Sequence, residues 1–187
     1  MVVALSREQV VGTAVDILRR YGLADLSMRR LARELDVQPG ALYWHVASKQ
    51  ELLVEVADAL LARIEEPHPE RPPAESLASL ASAIREAVLQ VPDGAEVVAL
   101  AYAVEPGSVR PLRDVVRLVG RLGVAPAERD AVAELVVHHV LGSVGIEHDR
   151  RRAEAAEPDV SPPSPAEAAK AFEVGIGVIL RGIERPS

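Results

Sequence analysis

Basic and ring-bearing side chains gather in one short part of the chain, between residues 26 and 49. They are Arg29, Arg30, Arg33, Lys49, Tyr43 and His45, and the four basic side chains are expected to face outward. Guanidinium and ammonium groups pair with phosphate oxygens, and tyrosine and imidazole groups can hydrogen-bond to the same oxygens. The intervening residues have the spacing of two short helices separated by a tight turn. This combination is typical of a helix-turn-helix element that docks on DNA.

The charge is distributed unevenly along the 187 residues. The whole chain has a formal net charge of −7, but residues 1–64 contain eight basic and eight acidic side chains. Between Leu26 and Lys49 the basic residues outnumber the acidic ones by four to two. Because salt screens exposed charges beyond about 10 Å at 0.1 M, a DNA backbone would encounter this local positive charge rather than the acidic remainder.

The composition favours close-packed helices and excludes some classes of protein. Hydrophobic residues make up 49% of the chain but aromatic residues only 3%. The absence of cysteine excludes disulfides and thiolate metal sites and agrees with a reducing cytosol. No apolar run approaches the roughly 20 residues of a membrane span, and the N-terminus lacks the apolar part of a signal peptide. We therefore expect a cytoplasmic protein that does not associate with membranes.

Capping signals and apolar periodicity predict where the helices lie. Capping boxes begin at Ser6 and Ser48, Ser27 caps a second helix, and Pro39 starts a very short third one. The apolar face of the first helix includes Tyr21. Further helices are expected over residues 77–91, 95–104, 112–122, 129–148 and 165–182, with proline-rich breaks at 67–73 and 158–165.

Two late helical segments are rich in glycine, at Gly142 and Gly145 and at Gly175, Gly177 and Gly182. An interior glycine costs about 1 kcal/mol of helix stability, so it usually reflects the close approach of another backbone. Two such helices facing their copies in a second subunit would form a four-helix interface, and close packing within one subunit is the alternative. The interface residues predicted on this basis are Val140, Val144, Phe172, Ile176 and Ile179.

The N-terminal segment resembles the DNA-binding region of the tetracycline-repressor (TetR) family over roughly residues 6–60. The resemblance is strongest in ALYWHVASKQELL, which starts at Ala41. Weaker matches to the regulatory domain of the tetracycline repressors themselves are DGAEV at Asp93, HHVLG at His138 and FEVGIGVILRGIE at Phe172.

The resemblance implies an all-α homodimer. Residues 1–47 would form a three-helix helix-turn-helix head that binds a palindromic double-stranded DNA operator. Residues 48–187, beginning with a connecting helix over 48–66, would form a helical ligand-binding and dimerisation body. A small-molecule effector in the body would alter the spacing of the two heads.

The resemblance and the residues together assign DNA-contacting roles within the head. In the family pattern Tyr43 and His45 meet phosphates, while Trp44 packs toward the helix-turn-helix core. A core position for Tyr43 and a bystander role for His45 are the alternatives. Lys49, at the start of a helix, can reach a phosphate together with free backbone N–H groups.

Few residues of the head are candidates for contacting the DNA bases. Arg29 can reach a base or the backbone, Gln38 can hydrogen-bond to adenine, and Ala41 can touch a thymine methyl group. The complete set predicted to contact DNA is Ser27, Arg29, Gln38, Gly40, Ala41, Tyr43, His45 and Lys49.

Mostly apolar side chains from several helices are predicted to line an effector cavity in the body, with an ordinary core as the alternative. They are Leu80, Ile84, Val98, Ala101, Tyr102, Val115, Leu118, Val136 and His139. The histidine that binds drug-chelated magnesium in the tetracycline repressors corresponds to about Val98, and their polar drug-holding residues fall near Leu80 and Ile84. We therefore expect a largely apolar effector, no tetracycline–Mg²⁺ binding, and no cofactor or bound metal.

Two other classes of function compete with a ligand-responsive repressor. An enzyme would have to use the cluster of His138, His139, Glu147, His148 and Asp149. Adjacent histidines on a helix point about 100° apart, so this spacing is not a metal-ligand set, and the sequence lacks a nucleophile elbow or a glycine-rich phosphate loop. A helical interaction protein without DNA binding is the second alternative. The co-occurrence of Arg29, Tyr43, His45 and Lys49 argues against it, and we do not expect an enzyme.

Overall fold

The structure is a computed structural model that describes residues 5–156 and 161–183. Within those residues the chain forms nine α-helices and no strand, so the expected all-α fold class is confirmed. The helices are α1 (Arg7–Tyr21), α2 (Met28–Glu34), α3 (Pro39–Leu42), α4 (Lys49–Leu61), α5 (Pro73–Leu89), α6 (Gly94–Val104), α7 (Arg110–Arg121), α8 (Arg129–Ala156) and α9 (Pro165–Ile183). Part of the proline-rich break expected at 158–165 lies outside the described residues.

The N-terminal helices begin at the predicted caps. Ser6 and Gln9 form a reciprocal capping box, with the Ser6 hydroxyl accepting from the Gln9 N–H at 3.2 Å and the Gln9 side chain accepting from the Ser6 N–H at 2.9 Å. The Ser27 hydroxyl accepts from the Arg30 N–H at 3.2 Å, and the Ser48 hydroxyl accepts from the Glu51 N–H at 3.0 Å. Each cap satisfies a donor that the first helical turn leaves free, which fixes where that helix starts.

Tyr21 and Arg30, both in the head, lie differently from the sequence prediction. Tyr21 is half exposed instead of facing the core, and the Arg30 guanidinium lies 3.8 Å from the centre of its ring. Arg30 also pairs with Asp25. The cation–π contact and the ion pair hold Arg30 against the α1–α2 turn, so it is not an outward-facing charge.

The connecting helix is shorter than expected. It spans Lys49–Leu61 rather than residues 48–66, and the chain tightens into a turn in which the Ile64 N–H donates to the Leu61 carbonyl at 3.0 Å. The guanidinium of Arg110, at the start of α7, donates to the Ile64 carbonyl. A side chain from the body therefore takes the carbonyl that a longer α4 would have used internally.

The body packs α5, α7 and α8 together, with α6 against α4 and α9 along α8. Its core consists of aliphatic side chains from all five body helices, and Phe172 is the aromatic residue buried among them. The observed helices start and end close to the predicted segments. The main differences are that α5 begins earlier, at Pro73, where proline suits a first helical position, and that α8 continues past His148 to Ala156.

The contact between α8 and α9 explains one of the glycines. A Cβ added to Gly175 would collide with the His139 ring, which stacks on Phe172 with 5.2 Å between ring centres. Gly175 therefore serves packing within the subunit, as in the alternative interpretation. A Cβ at Gly142, Gly145 or Gly182 would meet no atom of the described chain within 4 Å.

Most of the residues predicted for a subunit interface are buried within the single chain. Val140, Val144, Phe172 and Ile176 are buried within the single chain, and Ile179 is half-buried. The four buried side chains pack within the core of the single chain, and their role at a subunit interface stays a prediction.

Candidate nucleic-acid interface

The turn between α2 and α3 sets the direction of the candidate DNA-contacting residues. Asp36 adopts a left-handed backbone with φ of +52°, which aspartate tolerates better than most residues. The Val37 N–H then donates to the Ala32 carbonyl at 3.0 Å. The turn leads directly into Gln38, the N-cap residue of α3, whose side chain makes no capping hydrogen bond and is exposed. Its amide is therefore free to contact a base edge.

Trp44 contradicts the prediction that it packs toward the helix-turn-helix core, because it is 89% exposed. Leu42 and Val46 are both buried and fill the inner side of this short segment. Tyr43, between them, is 53% exposed. A large aromatic side chain that is this accessible often marks a binding surface. Trp44 is therefore an additional candidate for contact with DNA, which the sequence analysis missed. The spacing of Leu42 and Val46 was the signal that could have revealed it.

The remaining predicted contacts differ in how accessible they are. Arg29, Gly40 and Lys49 are exposed, whereas Ala41 and His45 are half-buried. Ser27 is exposed, but its hydroxyl is already engaged as the α2 cap. We refer to Arg29, Gln38, Tyr43, Trp44 and Lys49 together as the head surface.

An acidic side chain beside the head surface is held away from it. Glu51 accepts hydrogen bonds from the Ala47 N–H at 2.6 Å and from Arg7 at 2.7 Å. The Ala47 backbone bond, followed by the Arg7 bond, lowers the pKa of Glu51 below its ordinary value. Arg7 also binds Glu55 at 2.8 Å. The negative charges at the start of α4 are thus paired with α1, which leaves Lys49 as the exposed charge at that helix end.

Most residues predicted to line an effector cavity lie in the core of the body. Seven are buried, coming from α5, α6, α7 and α8, namely Leu80, Ile84, Val98, Ala101, Val115, Leu118 and Val136. His139 is half-buried, and its Nε2 lies 3.1 Å from the Phe172 carbonyl. The structure places the seven apolar side chains in one core.

Tyr102 is different, because it lines a cavity of about 640 Å³ between α6, α7 and α8. Val116, Arg113, Asp130 and Glu134 line the same cavity. Burial, followed by the charges of Glu134 and Asp130, raises the pKa of Tyr102 above its ordinary value. The size suits a small organic molecule, and the lining combines aliphatic, phenolic and charged groups.

The His138–Asp149 cluster is divided among separate contacts. The His148 Nε2 lies 3.1 Å from the Leu89 carbonyl, and Glu147 binds Arg85 at 2.5 Å. His138 faces Glu134 at 3.5 Å. Among residues 5–156 and 161–183, no three histidine, aspartate or glutamate side chains are grouped so that they could hold a metal ion. Within the same ranges, no helix is long and apolar enough to cross a membrane.

The sequence of the chain is similar to the sequences of known regulatory proteins. Residues 10–56 match the family described as "Bacterial regulatory proteins, tetR family". The class G tetracycline repressor of Vibrio anguillarum is 29% identical over 205 residues, covering 97% of this chain and 94% of that protein. An HTH-type transcriptional regulator of Saccharopolyspora erythraea is 28% identical over 144 residues, and the match spans 76% of this chain but only 61% of that protein.

Solved structures are similar over nearly the whole chain. Mycobacterium smegmatis BioQ superposes with a TM-score of 0.84 at 36% identity, covering 96% of this chain and 98% of BioQ. BioQ with its natural double-stranded DNA operator gives 0.81 at 35% identity, covering 97% and 99%. Streptomyces coelicolor ActR in complex with actinorhodin gives 0.79 at 25% identity, covering 97% of each chain.

Proposed function

The chain belongs to the TetR family of bacterial regulatory proteins, and we propose that it represses transcription by binding an operator through its head surface. The observation that carries this proposal is the accessibility of Arg29, Gln38, Tyr43, Trp44 and Lys49 on and beside α2, α3 and the start of α4. A helix-turn-helix head needs phosphate-binding groups flanking a base-reading one, and this set provides both. The BioQ–operator structure supports the same use of a similar fold.

We propose residues 1–47 as the DNA-binding head and residues 48–187 as the regulatory body. The protein would act as a homodimer on an inverted repeat, since two-fold symmetric proteins match two-fold symmetric operators. It would act in the cytoplasm, where that DNA lies. The compared proteins are transcriptional regulators, and we propose no enzymatic activity for the His138–Asp149 cluster.

A small effector would relieve repression by binding in the body. ActR, which is similar over 97% of its length, has been solved with actinorhodin. The buried aliphatic side chains, which include Ile84 and Val98, support a largely apolar effector, and the cavity that Tyr102 lines offers space for a small molecule. Thermal-shift screening of apolar small molecules, followed by titration against the protein–DNA complex, tests this.

DNA binding itself is tested with the chain's own promoter region. Trp44 is the only tryptophan in the sequence and is almost fully accessible, so its fluorescence reports directly on the head surface. We expect saturable quenching on addition of the promoter fragment and little change with an unrelated duplex at the same salt concentration. Equal quenching by both duplexes, or none, would contradict operator binding.

Gln38→Ala and Lys49→Ala should affect DNA binding in different ways. Loss of the free Gln38 amide should alter the ranking of operator variants, because a base contact contributes about 1–3 kcal/mol of discrimination. Loss of Lys49 should weaken all duplexes alike and reduce the salt slope by about one. Fluorescence titrations over a set of operator variants and salt concentrations measure both effects. Equal losses across the variants for Gln38→Ala would remove it from base reading.

Tetracycline with magnesium should not release the protein from DNA. Val98 is fully buried and, like the buried Leu80 and Ile84, offers no ligand to a metal chelate. Isothermal titration with tetracycline and Mg²⁺ should give no heat of binding at micromolar protein. Micromolar affinity would show that the body provides polar ligands at positions other than Leu80, Ile84 and Val98.

A further inference from the structure

Asp93, in the turn between α5 and α6, has a side chain that contacts both the head and another helix of the body. It stands at the N-cap of α6, where an aspartate carboxylate ordinarily accepts from the first N–H groups of its own helix. Here the carboxylate makes no such bond, and the backbone adopts a φ of +56°. Both oxygens are committed to groups outside α6 instead.

One carboxylate oxygen contacts the head. Asp93 Oδ2 accepts a hydrogen bond from the Leu23 N–H at 2.8 Å, in the turn that joins α1 to α2. The approach is close, because a Cβ added to Gly22 would lie 2.6 Å from the same oxygen. Gly22 has a φ of +80° and therefore both ends α1 and leaves room for the carboxylate.

The other oxygen contacts α8. Asp93 Oδ1 accepts from the guanidinium of Arg152, near the C-terminal end of that helix. Arg152 also donates to Asp149 at 3.0 Å, so two carboxylates hold the guanidinium in place. The hydrogen bond from Arg152 to Asp93 is the main reason that the pKa of Arg152 lies above its ordinary value.

From these contacts we infer that Leu23, Asp93 and Arg152 form a joint that couples the C-terminal part of α8 to the head by a route additional to the connecting helix α4. A displacement of α8 moves Arg152, Arg152 carries the Asp93 carboxylate with it, and the carboxylate holds the backbone at the α1–α2 turn. Because α2 follows that turn directly, the orientation of the head surface depends on the position of α8. Arg152 is mostly exposed, so the joint determines position and adds little to global stability.

Hydrogen exchange of the Leu23 amide tests the joint without reference to DNA. Arg152→Gln removes the α8 side of the contact, whereas Arg150→Gln removes a neighbouring exposed charge of the same helix and serves as the matched control. In the full chain we expect the Leu23 amide to exchange about three- to tenfold faster in Arg152→Gln, with amides in the middle of α4 unchanged. Equal Leu23 exchange in the two variants would overturn the joint.

A second variant changes the carboxylate in the middle of the joint. Asp93→Asn keeps an acceptor for the Leu23 N–H and tolerates a positive φ, but it loses the charged partner of Arg152. If the two side chains act through each other, adding Arg152→Gln to Asp93→Asn should change Leu23 exchange no further. Additive effects of the two substitutions would show that they act independently, against the inference.

The expected effect of the joint on DNA affinity rests on the proposed function, and it is measured separately from hydrogen exchange. On a duplex that the wild-type chain binds, Arg152→Gln should lose about three- to tenfold in affinity, and Arg150→Gln no more than about twofold, at equal net charge. Equal losses would overturn the effect of the joint on DNA binding. If the wild-type chain bound no duplex, the proposed function would fail, whereas the exchange measurement would still decide the coupling.

Discussion

Replacement of Glu147 by alanine should lower the free energy of unfolding by about 3–5 kcal/mol, because it leaves a buried arginine without its counter-charge. Arg85 on α5 is only 7% exposed, and its guanidinium binds the Glu147 carboxylate of α8 at 2.5 Å. The same guanidinium lies 5.3 Å from the centre of the Phe172 ring of α9, and its Nε has no hydrogen-bond partner among the described residues. The ion pair thus lies where three body helices meet. If the Glu147 carboxylate is removed, water cannot solvate the Arg85 guanidinium in its place.

Thermal or urea denaturation at fixed protein concentration measures this loss, which corresponds to a fall in Tm of roughly 10 °C for a chain of this size. Arg151→Gln is the matched control. Arg151 binds the other oxygen of Glu147 at 2.6 Å but is half exposed, so its loss should cost no more than about 1 kcal/mol.

A double variant separates the charge from the packing. Arg85→Leu with Glu147→Leu removes both charges and should be more stable than Glu147→Ala, because no unpaired ion remains buried. If the double variant were less stable than Glu147→Ala, the ion pair itself, rather than the cost of leaving Arg85 alone, would be the stabilising element.

Local chemistry explains why the sequence predicted so much of the fold. The caps at Ser6, Ser27 and Ser48 depend on residues three positions away, so they can be read directly from the chain. Apolar spacing predicted the body helices for the same reason, since each helix buries one face. The exposed Gln38 and Lys49 of the candidate site follow from these local elements.

The features that the sequence analysis did not predict have two kinds of cause: a local packing pattern that was overlooked, at Trp44, and partners further along the chain. Trp44 is outward because Leu42 and Val46 already fill the inner side, and Arg30 is inward because Tyr21 and Asp25 hold it. The N-cap role of Asp93 is lost to Leu23 and Arg152, which are 70 and 59 positions away. Periodicity also cannot separate a ligand-lining valine from a core valine, since both face inward.

Charge placed on the outer side of α9 should abolish dimerisation and, with it, tight operator binding. Four of the five residues predicted at the subunit interface are buried within the single chain, whereas Val174 and Val178, one turn apart on α9, are 53% and 56% exposed. Leu135 and Ile146, three turns apart on one side of α8, are also exposed. Apolar surface on two adjacent helices suits a four-helix interface with a second copy.

Val178→Asp should therefore raise the dissociation constant of the dimer at least roughly 100-fold, because two-fold symmetry buries two new carboxylates in one interface. Sedimentation at micromolar concentration measures the change in mass. Operator binding should fall in parallel, since a single head contacts only half of an inverted repeat.

Val104→Asp, at an equally exposed valine at the end of α6, is the matched control and should leave both the mass and the operator affinity unchanged. Denaturation of Val178→Asp distinguishes an interface defect from misfolding, because an exposed position costs the isolated subunit little. A Val178→Asp protein that remained dimeric would place the interface on another face. The exposed side of α8 at Leu135 and Ile146 would then have to contact a different partner.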